Sequence, residues 1–102
     1  MNSEGDKLVI VMVDDEKEFL ALVKRWALPE FDFVGLTDGE ELLEELEGLE
    51  PDLLVLDVRM PGLDGFELCR RVRADGRFRE LPVLFLTGSR DDEDFLKNLQ
   101  VG

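Results

Sequence analysis

Acidic and hydroxyl side chains follow three apolar runs of this sequence. The run LVIVMV leads into Asp14 and Asp15, LLVL leads into Asp57, and VLFL leads into Thr87. If the runs are parallel strands, these four side chains meet at one sheet edge, where open α/β folds bind ligands. Three carboxylates at such close range repel one another unless a cation joins them. Oxygen ligands with an incomplete coordination shell suit Mg²⁺, which takes phosphate oxygens as further ligands.

The hydrophobic pattern predicts four strands that alternate with four helices. The predicted strands are 8–13, 31–36, 53–58 and 83–87, and the predicted helices open near Asp15, Asp38, Asp64 and Ser89. Short strands alternating with helices indicate right-handed crossovers and a parallel sheet covered on both faces. We expect a doubly wound, flavodoxin-like α/β fold with strand order 2-1-3-4. In this order the first and third strands are neighbours, about 4.8 Å apart.

Some of these residues also have an ordinary structural interpretation. Asp15 and Glu18 fit a capping box at the start of the first helix, and a metal role for Asp15 is compatible with that. Taken singly, Asp57 fits a turn residue before Pro61 better than a functional residue, and Thr87 fits an ordinary β-branched strand residue. Phe19 and Trp26 share an apolar helical stripe, which predicts core packing for both. It is the joint pattern at one sheet edge that favours a functional site.

Composition limits the classes of function. The chain has 102 residues, a size for one domain, and its formal charge of −13 disfavours direct binding to nucleic acid or anionic lipid. It contains no histidine, and its single cysteine, Cys69, cannot form an intrachain disulfide. No signal peptide is evident at the start, and no apolar run reaches the ~18 residues needed to span a bilayer. A cytoplasmic location is therefore expected.

Three segments of the sequence together resemble a known family. VMVDDEKEFL, LLVLDVRMPGLDGFEL and LPVLFLTGS look like the signature segments of the response-regulator receiver domain of two-component signalling. The spacing between them also fits, and the resemblance extends over essentially the whole chain. The middle segment is the most diagnostic, because an aspartate ends a hydrophobic strand and Met-Pro-Gly and Asp-Gly follow it.

The resemblance implies a role for each site residue. Asp57 would be the phosphoacceptor, attacking a phosphohistidine of a sensor histidine kinase or phosphotransfer protein. Asp14, Asp15 and Asp57 would hold Mg²⁺ together with the backbone carbonyl of Arg59. Thr87 would hydrogen-bond the phosphoryl group and act as the switch. Such a domain is not an enzyme beyond its own phosphorylation and dephosphorylation.

The sequence also departs from the family pattern. A complete receiver continues with a fifth strand, which ends in a lysine, and a fifth helix, whereas this sequence stops at Gly102. The expected organisation is a flexible stretch at 1–6 and a C-terminally truncated receiver domain at 7–102. Lys97 falls in the predicted fourth helix and cannot replace the missing lysine. We therefore expect an under-neutralised site, and a homodimer through the exposed edge of the fourth strand.

Two other functions are considered beside the phosphoacceptor. The first is a phosphorylation-impaired, receiver-like module for protein interaction or dimerisation. The second is a phosphatase of the haloacid-dehalogenase type, which is disfavoured because the position two residues after Asp57 is Arg59 and not a second aspartate. The basic group Arg70, Arg71 and Arg73 is expected to be exposed and of little consequence.

Overall fold

Strands and helices alternate along residues 7–87, the part of the chain that the computed structural model describes. The elements are β1 (Val9–Val13), α1 (Lys17–Ala27), β2 (Asp32–Leu36), α2 (Gly39–Leu49), β3 (Leu53–Asp57), α3 (Gly65–Ala74), a 3₁₀ turn (Gly76–Phe78) and β4 (Val83–Leu86). The predicted fourth helix, with Ser89, lies outside the described residues. The four predicted strands and the first three predicted helices are confirmed, with small shifts at their ends.

The four strands form one parallel sheet in the order β2-β1-β3-β4. This is the doubly wound order predicted from the sequence. Val13 at the end of β1 pairs with Leu36 on one side and Leu56 on the other. Asp57 at the end of β3 pairs with Leu86 of β4. The carboxyl ends of β1, β3 and β4 therefore lie side by side.

The sheet has a different hydrophobic core on each face, because alternate strand residues point to opposite sides. On one face, α2 and α3 cover fully buried residues such as Val11, Leu54 and Leu56. On the other face, α1 covers a smaller cluster of Met12, Leu20 and Phe33. Each fully buried side chain of this size contributes about 1.5–3 kcal/mol. The larger core thus holds β1 and β3 in place, and these are the strands that carry the carboxylates.

The first helix begins differently from the prediction. Its N-terminal cap is Glu16, and no side chain caps it there, so the capping box of Asp15 and Glu18 is wrong. Asp14 makes the local contact instead, since its Oδ1 accepts the N–H of Glu16 at 2.9 Å. A carboxylate that bonds the amide two residues later forms a turn and leads the chain from the strand into the helix. Asp15 is exposed and is left for another role.

The second and third helices open as predicted. Asp38 accepts the N–H of Glu40, and Asp64 accepts the N–H of Glu67. Gly48 stays inside α2, which ends at Leu49, and Glu50 adopts the left-handed conformation there with φ 48°.

Two predictions of side-chain environment are wrong. Trp26 does not pack in the core but is 68% exposed and only borders an apolar groove between α1 and the sheet. The second prediction that is wrong is that Arg73 has little structural consequence. Its Nη1 donates to the carbonyl oxygens of Phe78, Arg79 and Leu81 at 3.1, 2.9 and 2.6 Å. These bonds tie α3 to the segment that enters β4.

Candidate metal and phosphate site

Three aspartates come together at the carboxyl edge of the sheet, as predicted. Asp57 is the last residue of β3, and Asp14 and Asp15 directly follow β1. One oxygen from each of the three carboxylates lies within 4.8 Å of the other two. The strand pairing continues around them, because the N–H of Asp14 donates to the Leu36 carbonyl and the N–H of Val58 donates to the Leu86 carbonyl, both at 3.0 Å. The cluster is therefore built on the rigid end of the sheet.

Backbone hydrogen bonds orient two of these carboxylates. Glu16 donates its N–H to Oδ1 of Asp14 at 2.9 Å, and Arg59 donates its N–H to Oδ1 of Asp57 at 3.1 Å. In both cases the donor lies two residues after the acceptor. The same local turn thus fixes the direction of both side chains, and each bond also stabilises the ionised form of its carboxylate.

Burial and mutual repulsion raise the pKa of two members of the cluster. For Asp14, burial is the main cause and the charge of Asp15 adds to it, whereas the bond from Glu16 acts in the opposite direction. For Asp57, burial again comes first, and the charges of Asp14, Asp15 and Glu16 raise the pKa further against the bond from Arg59. Ionisation of these two carboxylates is therefore unfavourable in the folded protein. Such carboxylates are typical of sites that bind a cation or carry out catalysis.

The geometry of the cluster fits a small divalent cation. Magnesium binds oxygen at about 2.1 Å, so two ligands on opposite sides of one ion lie about 4.2 Å apart and adjacent ligands lie closer. The aspartate oxygens lie within 4.8 Å of one another, close enough for all three to approach a single ion. A cation at this position would also relieve the repulsion that raises the pKa of Asp14 and Asp57. The donor set, consisting of oxygen atoms, matches the preference of Mg²⁺.

A shallow cleft of about 260 Å³ opens beside the carboxylates. It is lined by Asp14, Glu16, Phe19, Asp57, Leu86 and Thr87. Thr87 follows β4 directly, so the structure places the predicted hydroxyl in the same cleft as the predicted carboxylates. Sequence reasoning missed Glu16 and Phe19 as lining residues. The signal for Glu16 was its position, because the turn made by Asp14 binds the backbone of Glu16, two residues later, and so holds that residue beside the site.

Gly65 is a second residue whose importance the sequence did not reveal. A Cβ atom at this position would overlap the carbonyl oxygen of Asp57 and would lie 3.0 Å from Cα of Val58. The N–H of Gly65 also donates to the Val58 carbonyl at 3.1 Å. The first turn of α3 therefore rests directly on the backbone that carries Asp57, and only glycine permits this approach. The Asp-Gly pair was visible in the sequence, but this contact depends on the tertiary fold.

The fold and the site together define an open parallel α/β protein with an acidic site at its topological switch point. The sequence profile described as "Response regulator receiver domain" matches residues 10–102. The chain therefore belongs to the response-regulator receiver domain family.

Curated relatives include transcriptional regulators of bacteria. The chain is 36% identical over 94 residues to the alkaline phosphatase synthesis transcriptional regulatory protein PhoP of Bacillus subtilis, covering 91% of this chain and 38% of that protein. It is 48% identical over 64 residues to the transcriptional regulatory protein AfsQ1 of Streptomyces coelicolor, covering 63% of this chain and 27% of that protein. The chain thus spans less than two fifths of these relatives.

Solved structures show the same fold. The N-terminal domain of a response regulator receiver protein from Methanoculleus marisnigri JR1 is 29% identical, with a TM-score of 0.77, and the match covers 87% of this chain and 76% of that one. The chemotaxis protein CheY4 of Vibrio cholerae superposes with a TM-score of 0.80 over 92% of this chain and 81% of that one. At 24% identity, CheY4 supports the fold alone. Within residues 7–87, no helix has the length and apolar character needed to cross a membrane.

Proposed function

We propose that this chain is a phosphoacceptor that receives a phosphoryl group on Asp57 from a phosphohistidine of a sensor histidine kinase or phosphotransfer protein. The observation that carries the proposal is the position of Asp57 at the end of β3, with oxygens of Asp14 and Asp15 within 4.8 Å. Membership of the receiver family supports the same assignment.

In the proposed reaction, a carboxylate oxygen of Asp57 attacks the phosphorus atom and forms an O–P bond. The N–P bond of the donor breaks, and the imidazole nitrogen keeps the electron pair and takes up a proton. The Arg59 N–H holds the Asp57 carboxylate in a fixed direction during this step. Positioning and charge neutralisation supply most of the catalysis in reactions of this kind. Thr87, which lines the same cleft, is placed to donate its hydroxyl to the phosphoryl group.

Asp14, Asp15 and Asp57 are the residues that would hold Mg²⁺, and we retain the Arg59 carbonyl as a further proposed ligand. When bound, the cation neutralises charge on the carboxylates and on the phosphoryl oxygens. Asp14 suits this role because it is 5% exposed and has few ways to be solvated otherwise. We class the chain as a signalling module in the cytoplasm rather than as an enzyme with turnover.

The decisive experiment measures the intact mass of the 102-residue chain after incubation with acetyl phosphate. With Mg²⁺ present, we expect an adduct with the mass of one phosphoryl group that hydroxylamine removes, as an acyl phosphate requires. Chelation of Mg²⁺ should abolish the adduct. Asp57→Asn should abolish it as well, because the amide is not a nucleophile.

Asp32→Asn is the matched control, since it removes the same charge from an exposed position at the start of β2, away from the site. This variant should be labelled as fast as the unaltered chain. If the unaltered chain takes up no phosphoryl group with Mg²⁺ present, the phosphoacceptor proposal is wrong. An adduct that persists in Asp57→Asn would show that another residue is the acceptor.

A further inference from the structure

An acidic residue outside the group of three aspartates also lines the cleft beside them. Glu16 is the N-terminal cap residue of α1, and its side chain makes no capping hydrogen bond. Its N–H donates to Oδ1 of Asp14 at 2.9 Å, which fixes the backbone of Glu16 relative to the site. The carboxylate of Glu16 is therefore held next to the cleft without being needed to begin the helix.

Glu16 lies at the outer end of this cleft, which we call its mouth. The acidic lining residues become more exposed in one direction, because Asp14 is buried, Asp57 is half-buried and Glu16 is exposed. Of the six described residues that line the cleft, three are acidic and none is basic. Burial is the main cause that raises the pKa of Asp57, and the charge of Glu16 adds to it. The Glu16 carboxylate is thus close enough to act electrostatically on groups that reach Asp57.

The leaving group of a phosphodonor must point towards this mouth. In phosphoryl transfer the attacking and leaving atoms lie on opposite sides of the phosphorus. Asp57 attacks from the inner part of the cleft, so the bond that breaks faces outwards, where Glu16 lies. A carboxylate at that place repels a leaving atom that gains negative charge and attracts a leaving group that carries positive charge.

We propose that Glu16 selects the phosphodonor by the charge of its leaving group and favours N–P donors over acyl phosphates, a role that rests on the proposed function of Asp57 as phosphoacceptor. With phosphoramidate, an Asp57 oxygen forms the O–P bond, the electron pair of the N–P bond stays on a nitrogen that is already protonated, and ammonia leaves. With acetyl phosphate, the electron pair of the broken P–O bond goes to oxygen, and acetate leaves with its negative charge beside Glu16. Small acyl phosphates would therefore label the chain slowly compared with N–P donors.

The test compares the initial rates at which phosphoramidate and acetyl phosphate label the full chain, followed by intact mass at saturating Mg²⁺. The quantity that matters is the ratio of the two rates, because effects on the aspartates, on Mg²⁺ affinity or on the phosphoryl group act on both donors and cancel. Glu16→Gln should lower the ratio of the phosphoramidate rate to the acetyl phosphate rate by about three- to tenfold, since one unit charge about 4 Å away changes a rate about fivefold in water. Glu16→Lys should lower it further.

Glu18→Gln is the matched control for Glu16→Gln. It removes the same charge from an exposed residue in the first turn of the same helix, and Glu18 does not line the cleft. Its rate ratio should stay within about twofold of that of the unaltered chain. High salt should bring the ratios of the unaltered chain and Glu16→Gln closer together, because salt screens the interaction of exposed charges.

The two proposals fail in different ways. The role of Glu16 is overturned if Glu16→Gln leaves the ratio unchanged, speeds labelling by both donors equally, or shifts the ratio no more than Glu18→Gln does. In each of these cases the unaltered chain is still labelled on Asp57, so the phosphoacceptor proposal stands. If neither donor labels the unaltered chain, the phosphoacceptor proposal is wrong and the role of Glu16 is wrong with it.

Discussion

Replacing Asp57 by asparagine should stabilise the metal-free protein. The three aspartate oxygens lie within 4.8 Å of one another. At that distance two unit charges repel by about 0.9 kcal/mol in water and about 3.5 kcal/mol at an effective dielectric constant of 20. The cleft is open to solvent, so a value near the lower limit, about 1 kcal/mol for each pair, is appropriate. Asp57 takes part in two pairs, and asparagine can still accept the Arg59 N–H.

The expected gain is about 1–2 kcal/mol in the free energy of unfolding at neutral pH and low salt. In urea, with a slope of about 1–3 kcal/mol per molar, this gain raises the unfolding midpoint by about 0.3–2 M. Added salt should reduce the gain, because salt screens repulsion between partly exposed charges. The measurement is urea unfolding followed by circular dichroism with a chelator present.

Saturating Mg²⁺ should reverse the order of stability. A ligand at 100 times its dissociation constant stabilises the folded state by about 2.7 kcal/mol, and Asp57→Asn forfeits much of this because it removes one of the three carboxylates. Asp32→Asn should show neither effect. The reasoning is refuted if Asp57→Asn is no more stable than the unaltered chain without metal. It is also refuted if Asp32→Asn gains as much, since the effect would then come from net charge and not from the cluster.

Three further outcomes are expected. The pKa of Asp57 is raised by burial and neighbouring charges, so the contribution of this group to stability is fully present below its unfolded-state pKa and is lost as pH rises through its folded-state pKa. The advantage of Asp57→Asn without metal should accordingly shrink as pH is lowered from neutral into the range in which Asp57 becomes protonated, as followed by urea titrations, and an advantage that does not change with pH would contradict this. Gly65→Ala should cost about 1–3 kcal/mol because the added methyl meets the Asp57 carbonyl, whereas Gly48→Ala, with open space around it, should stabilise the chain in the same thermal melts by up to about 1 kcal/mol. Arg73→Met should cost about 2–3 kcal/mol by leaving three carbonyl oxygens without their donor, and equal losses from Arg70→Met in urea unfolding would disprove this.

The sheet and the carboxylate cluster could be predicted from the sequence because both depend on local pattern and on topology. The apolar runs at 53–57 and 83–86 are too short and too apolar for helices. Because they alternate with amphipathic helices, a parallel sheet with right-handed crossovers is the simplest topology. Once β1 and β3 are neighbours, Asp14 and Asp57 must meet. No information beyond the chain order is needed for that step.

The remaining features depend on contacts that sequence spacing does not encode. The exposure of Trp26 depends on how far α1 covers the sheet, because the residue borders an apolar groove between the two. The role of Arg73 requires the position of the segment 78–81 in space. Asp14, and not Asp15, accepts the hydrogen bond that forms the turn before α1. Because the two aspartates are adjacent and identical in type, the sequence pattern cannot distinguish between them.

The close approach at Gly65 leaves the site no room to contract towards α3. Here α3 begins in van der Waals contact with the peptide that bears Asp57, and the Gly65–Val58 hydrogen bond closes the remaining space. A contraction of the aspartates around a bound group cannot be absorbed in that direction, because compressing backbone against backbone costs too much. It must instead be taken up on the other side of the cleft, which Leu86 and Thr87 line. The contact at Gly65 thus determines in which direction the aspartate cluster can contract when a ligand binds.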